Sequence, residues 1–361
     1  MKKLFLSLVA AIVAATATYA QGSLLATLSH DGNISAYYGA YALKSAVEEA
    51  EAGDVITLSS GQFNAVNITK PITLRGAGMS VSTDSINAHE ATIIQNAFEI
   101  NIADSLSGRL LMEGLYFRNG ITYKGTIANG QFMKCRFANF IAGTDAKMTN
   151  STFIHCRIYD GFTLNNNSSS AYFINCLVCS PKNYVSSGTN TSNIEFDNCF
   201  IKFDYYSSYS NQPYLVQNSY FKNCIIQRSN YDNYTTSNNV LPSSCTAYNC
   251  VGIGNTSYYL FANMASNNST NTMISSVSSV FKTYNATANG TYITDLYDFT
   301  LTDEAAAKYL GTDGTQVGIF GGSLPYDENP TIPQITKCNV ASKSTADGKL
   351  SVDIEVKAAE Y

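Results

Sequence analysis

Arg136 and Arg157 occupy the same local context 21 residues apart, Cys135-Arg-Phe137 and Cys156-Arg-Ile158, with Lys134, His155 and Asp160 beside them. Grouped basic side chains of this kind can take a proton next to a sugar carboxylate while a bound cation neutralises the acid, so these residues are the chain's candidates for chemistry on acidic glycans. Calcium would be that cation in a lyase; no other cofactor is implied. The competing reading is favoured: outward arginines on neighbouring strands keep a wall wet and discourage edge association. His155 reads as a turn residue rather than a base, since histidine has many structural uses.

Tyrosine supplies the second set of candidates. Tyr205, Tyr206 and Tyr209, then Tyr231 and Tyr234, fall in Ser/Asn-rich stretches, and Tyr258 and Tyr259 come after them. A tyrosine on a projecting loop offers an apolar face to a sugar ring and a hydroxyl to its edge at small entropic cost. Packing of these tyrosines within their own loops is the equal alternative. Cys176-x-x-Cys179 looks like half of a metal or redox motif, but alternation along a strand turns the two sulfurs to opposite faces and no second pair lies at zinc spacing. No metal site is expected.

The elements that must position these residues are written as a repeat. Phe132-Met-Lys-Cys135, Phe153-Ile-His-Cys156, Phe173-Ile-Asn-Cys176, Phe196-Asp-Asn-Cys199, Phe221-Lys-Asn-Cys224 and Ala247-Tyr-Asn-Cys250 recur every 20–26 residues, with Met112-Glu-Gly-Leu115 as a degenerate earlier copy. A period of this length is a solenoid in which each unit buries its apolar face against its neighbours. The units are short runs of β-branched and aromatic residues bounded by Asn, Gly and Ser, so the rungs are strands. Cys and the residue two further on share one face, whereas the aromatic three before Cys has the wrong parity. A bend at the intervening Asn resolves this, because Asn tolerates left-handed backbone. Asn175, Asn198, Asn223 and Asn249 are then expected to stack, each amide bonding the next. Leu177, Phe200, Ile225 and Val251 continue the arginine row as an outward apolar stripe that something must cover.

The ends differ from the middle. Lys2 and Lys3, an apolar run from Leu4 to about Ala15 and Ala20 ahead of Gln21 read as a secretory signal peptide, residues 1–20, cleaved after Ala20. The implied location is the periplasm, the cell surface or the medium. Residues 40–52 carry Leu43, Ala46, Val47 and Ala50 on one helical face, which predicts a helix capping the first coil. Beyond Cys250 two or three further rungs are expected, then a short helix over 303–309, a linker marked by Pro325, Pro330 and Pro333, and a final strand in which Leu350, Val352, Ile354 and Val356 alternate with polar residues. The nine cysteines are too regular for a disulfide framework, and in-register parallel side chains have poor geometry for bridging, so free buried thiols are expected. Lys and Arg, 22 in all, are outnumbered by 27 Asp and Glu, which excludes a general phosphate-backbone binder.

The helix over 40–52, Gly53-Asp-Val-Ile-Thr-Leu58, Pro71-Ile-Thr-Leu-Arg-Gly76 and the repeated Asn-Cys units together resemble the pectate-lyase-like superfamily of right-handed parallel β-helices, over roughly residues 36–322. The segment from Gly311 through Gly322 to the final strand looks like the tail of exported bacterial β-helix proteins. The resemblance implies an all-β, right-handed single-stranded parallel β-helix over 21–322 and a C-terminal extension over 323–361. It carries over no catalytic residue. The Trp-Ile-Asp-His and Arg-x-Pro-x-x-Arg segments of its lyases and the Asn-Thr-Asp, Asp-Asp, Gly-His-Gly and Arg-Ile-Lys segments of its polygalacturonases have no counterpart. The chain has no Trp, and Cys156-Arg157-Ile158 runs into Tyr159 where a Lys would stand. The expected function is therefore a non-catalytic exported binding or adhesion protein that contacts carbohydrate through its Tyr/Asn/Ser loops. A divergent polysaccharide lyase or hydrolase and a purely structural surface component are the alternatives.

Overall fold

The computed structural model describes residues 24–81, 90–106, 108–164, 169–183, 191–203, 216–228, 241, 243–254, 260–262, 264, 270–284, 298–329, 334–340, 343, 345, 347–349 and 351–357. The chain coils into a parallel β-solenoid. One face, sheet A, stacks parallel strands in sequence order from Val55–Leu58 to Thr246–Tyr248; a second, sheet B, runs from Gly61–Asn64 to Thr272–Ile274. The register is the one the repeat demands. In sheet A, Phe132 pairs with Phe153, Phe153 with Phe173, Phe173 with Phe196, Phe196 with Phe221 and Phe221 with Ala247. In sheet B, Tyr116, Arg136, Arg157, Leu177, Phe200, Ile225 and Val251 form one row.

Between the two sheets the chain bends as the parity argument requires. Lys134, His155, Asn175, Asn198, Asn223 and Asn249 all have φ between 48° and 55°. A left-handed residue costs a non-glycine side chain some strain, least for Asn, which is why Asn fills four of the six positions. The cysteine after each bend turns into the core and is fully or almost fully buried. Backbone N–H groups of Cys156, Cys176 and Cys199 donate to the sulfur of the next coil's cysteine at 3.2, 3.4 and 3.5 Å, so the sulfurs climb as one column.

Beside that column the phenylalanines stack, with ring centroids 4.6 Å apart for Phe132/Phe153 and Phe153/Phe173 and 5.1 Å for Phe173/Phe196 and Phe196/Phe221. Burying each ring contributes ~1.5–3 kcal/mol, and each offset-stacked pair adds ~0.5–1.5 kcal/mol. Phe137, Phe140 and Phe162 meet this stack edge-on from sheet B.

The N-terminal end carries a feature that the sequence pattern does not announce. Leu25–His30 and Asn33–Tyr38 form an antiparallel hairpin, and Leu25–His30 joins sheet A antiparallel to Val55–Leu58. A helix spans Ala42–Glu49, within the expected 40–52, and buries Ala42, Leu43 and Ala46.

Two expectations are corrected. After Thr272–Ile274 the described chain adds no further rung to either sheet; it turns back along the outside of sheet B. Residues 298–329, the strap, lie there with the helix Asp303–Lys308, whose first N–H groups are met by the Thr302 hydroxyl at Ala305. Val280, Phe281, Phe299 and Leu301, expected in rungs, instead join Tyr284, Val317 and Ile319 in a second apolar cluster that closes over the outward stripe, while Tyr292 and Ile293 lie outside the described residues. The stripe is thus covered by the chain's own later part. The last strand, Val352–Lys357, pairs antiparallel with Gln334–Val340 in a separate two-stranded sheet. The second correction concerns the Asn amides: those of Asn175 and Asn249 bond to the strap rather than to the next coil's Asn.

Candidate functional site

The basic cluster is assembled as its spacing predicts, and then occupied. Arg136 and Arg157 are paired residues of adjacent sheet B strands, with Tyr116 one coil earlier. The Arg136 guanidinium lies 4.0 Å from the centroid of Tyr116 and 5.1 Å from that of Tyr159. Arg157 is only 14% exposed along its side chain. Its Nε donates to the Tyr326 hydroxyl at 2.6 Å, its guanidinium forms an ion pair with Glu328, and the Tyr326 hydroxyl donates to Glu328 Oε1 at 3.0 Å. Lys134 Nζ reaches Asp327 Oδ2 at 2.7 Å and the Asn329 carbonyl at 2.8 Å. Asp160 is exposed further along its strand.

His155 joins the same contact. Its Nε2 lies 2.9 Å from the Leu324 carbonyl oxygen, an obligatory acceptor, so the proton sits on Nε2. Nδ1 is buried and has no partner among the described residues. A ring held this way, at φ +52° on the bend, is a turn residue and an anchor.

The asparagines complete the arrangement. The predicted amide-to-amide ladder is replaced by bonds to the strap: Asn175 Nδ2 donates to the carbonyls of Ile319 and Gly321 at 2.8 and 2.7 Å, Asn223 Oδ1 accepts the Thr312 N–H at 2.9 Å, and Asn249 Nδ2 donates to the Leu310 carbonyl at 3.2 Å. Gly318 N–H donates to the Asn223 carbonyl at 2.8 Å. Strap backbone running beside the bends needs partners at each step, and outward-turned side chains on successive coils supply them. The bend row is therefore a rail to which residues 310–329 dock.

Electrostatics agree with that role. Desolvation pushes the Asp327 carboxyl up, but the Lys134 ammonium and the Asn329 N–H outweigh it and hold the pKa below the usual value. The thiols are equally committed to structure. Burial pushes Cys135 and Cys245 up to about 12 and Cys156, Cys199 and Cys250 well above the ordinary thiol range, whereas at Cys176 and Cys224 the desolvation is outweighed by hydrogen bonds from the neighbouring ladder cysteines, which hold the thiol below it. Cys135, Cys156, Cys176, Cys179, Cys199, Cys224, Cys245 and Cys250 are buried and form no disulfide with one another. Cys176 packs in the solenoid core and Cys179 in the outer cluster, on opposite faces as alternation requires. Among the described residues no group of three His, Cys, Asp or Glu could hold a metal ion.

Tyr205, Tyr206, Tyr209, Tyr231 and Tyr234 lie outside the described residues. Their points of attachment are described: residues 204–215 connect Phe200–Phe203 of sheet B to Tyr220–Lys222 of sheet A, and residues 229–240 make the equivalent connection one coil later. Sequence reasoning missed Leu324, Tyr326, Asp327 and Glu328. The signal for them was the acidic pair in Pro325-Tyr-Asp-Glu328, complementary to Lys134 and Arg157.

Comparison with known proteins finds no matching family model, no similar curated protein and no similar solved structure.

Proposed function

We propose that this is an exported, non-catalytic β-helix protein that binds carbohydrate, with the solenoid as a rigid support and the Tyr/Asn/Ser-rich connections as contact surfaces. The observation that carries this reading is the occupied basic wall. Lys134, His155 and Arg157 hold strap atoms at hydrogen-bond distance, so the groups that lyase chemistry would need are engaged by the chain itself. What varies from coil to coil is the connection from sheet B to sheet A, which lengthens to hold Tyr205, Tyr206, Tyr209, Tyr231 and Tyr234. Repeat proteins place binding residues on such per-repeat insertions. The covered wall and the rigid core support a scaffold; the resemblance to exported β-helices and the residues preceding Gln21 support export. No helix among the described residues is long and apolar enough to cross a membrane.

The test is a glycan array probed with the full chain, followed by titration of any hit against a Tyr205→Ala/Tyr231→Ala variant. Loss of binding in the variant supports the reading. Release of unsaturated uronates from acidic polysaccharides, with calcium present, would instead establish the lyase alternative.

A further inference from the structure

The outer face of sheet A carries half-buried and exposed side chains that are not those of a neutral solubilising surface. Tyr172, Glu195 and Tyr220 are paired in one row on three successive coils. Asp197, Lys222 and Tyr248 form the row beside it, also in register. Tyr220 and Tyr248 lean together with ring centroids 5.7 Å apart at 45°. Lys222 Nζ pairs with Asp197 Oδ2 at 3.1 Å, both side chains being more than a third exposed or close to it. Tyr248 is 37% exposed, and Tyr172 and Tyr220 are half-buried by their neighbours in the ladder. None of the three phenol oxygens has a hydrogen-bond partner among the described residues.

We propose that this face is a carbohydrate-binding platform on which a neutral, extended polysaccharide chain lies parallel to the solenoid axis across Tyr172 and Tyr220. The proposal rests on the glycan-binding reading above and moves the principal contact from the loops to the wall. Tyr172 and Tyr220 are two coils apart, ~9.6 Å at ~4.8 Å per strand step, which is the length of two sugar rings in an extended β-linked chain. Rings of alternate sugars then meet the two tyrosines, while Glu195 between them and the Lys222/Asp197 pair alongside offer acceptors and donors to the hydroxyls at the sugar edges. Charge selects the class. With Lys222 and Asp197 paired, Glu195 leaves the platform net negative, on a chain that is itself net negative, so a uronate polymer is repelled and a neutral one is not. The flanking outward residues, Thr152 and Ile154 on one side and Thr246 on the other, carry no charge that would reverse this preference.

The chain has no tryptophan and 25 tyrosines, so a change in tyrosine fluorescence is assigned to the platform only through the site variants, and calorimetry gives the affinity. The full chain is titrated with neutral β-1,4-linked glucan, xylan and mannan oligosaccharides from dimer to hexamer, and with oligogalacturonates of the same lengths. The expected result is binding of at least one neutral series, tighter from dimer to tetramer, and weakened tenfold or more by Tyr172→Ala and by Tyr220→Ala. Tyr172→Phe and Tyr220→Phe should keep most of the affinity, and circular dichroism should show each variant folded. Neutral-glycan binding that is unchanged in Tyr172→Ala and Tyr220→Ala but lost in Tyr205→Ala/Tyr231→Ala would overturn the platform and leave the glycan-binding function standing. Preference for oligogalacturonate, or affinity independent of chain length, would also overturn it. No binding of any oligosaccharide would remove the functional reading and the platform together.

Discussion

Replacing Glu328 with Gln should open the strap locally without melting the solenoid. The carboxylate pairs with an Arg157 side chain that is 14% exposed and is itself 27% exposed, which places the pair between a surface bridge worth ~0–1 kcal/mol and a buried one whose disruption costs ~3–5 kcal/mol. The Tyr326 and Tyr159 hydroxyls stay within reach of Arg157, the former at 2.6 Å, so the guanidinium keeps acceptors and the loss is taken as ~2 kcal/mol, about 30-fold in the equilibrium between docked and released strap. The assay is native-state hydrogen exchange. The Tyr326 N–H, bonded within the strap to the Ile319 carbonyl at 2.8 Å, reports on the order of the strap beside Glu328, and the Phe173 and Phe196 amides inside sheet A report on the solenoid. Exchange at Tyr326 should accelerate about 30-fold in Glu328→Gln while the sheet A amides keep their rates. In Arg157→Met the Glu328→Gln change should have little additional effect, because the partner has gone. Equal acceleration at Tyr326 and Phe173, or none at either, would refute the idea of a separately opening strap held by this pair.

Acid should release the same segment. Asp327 has a folded pKa below its unfolded value, so its contribution is fully present above the ordinary Asp value of ~3.9 and fades as pH falls below it through the folded pKa; strap exchange or cleavage measured from neutral to strongly acidic pH should rise in that window, and Lys134→Met should flatten the profile. Phe153→Ala removes a fully buried ring stacked at 4.6 Å on both neighbours and should cost ~3–5 kcal/mol in urea unfolding, against less than ~1 kcal/mol for the outward Thr152→Ala. Asn175→Gly keeps the left-handed bend at φ +48° yet deletes both bonds to the strap, so strap exchange should rise while global stability changes little; Asn175→Ala should lower both. The ladder thiols should resist alkylation in the native state at mildly alkaline pH and react only on unfolding, and rapid native labelling of Cys135 would contradict its burial.

What was legible in the sequence was whatever repeats. Cysteine spacing located the coils, and the parity clash between Phe and Cys located the bend, because both arise from strand geometry that acts over a few residues. The need for a cover over Leu177, Phe200, Ile225 and Val251 was equally legible, since four outward apolar side chains in a row cannot be left to water. The identity of the cover was not. Phe281, Tyr284, Phe299 and Leu301 have the composition of a rung, and nothing local separates a strand stacked on the last coil from a segment folded back against an earlier one. The contacts that decide the matter join residues far apart, such as Lys134 with Asp327 and Asn175 with Gly321, and obey no period. The asparagine row shows the consequence: its backbone role was readable, but the partners of its amides belonged to a distant segment.

Whether the basic wall is open or closed by the chain's own tail is tested most directly by zero-length carbodiimide coupling and peptide mapping of the product. With Lys134 Nζ at 2.7 Å from Asp327 Oδ2, an amide joining the Lys134 and Asp327 peptides should form in the native protein and disappear in urea. A Lys134 that fails to couple to Asp327 while reacting freely with a water-soluble acylating reagent would contradict the closed wall and make Arg136 and Arg157 available for catalysis again.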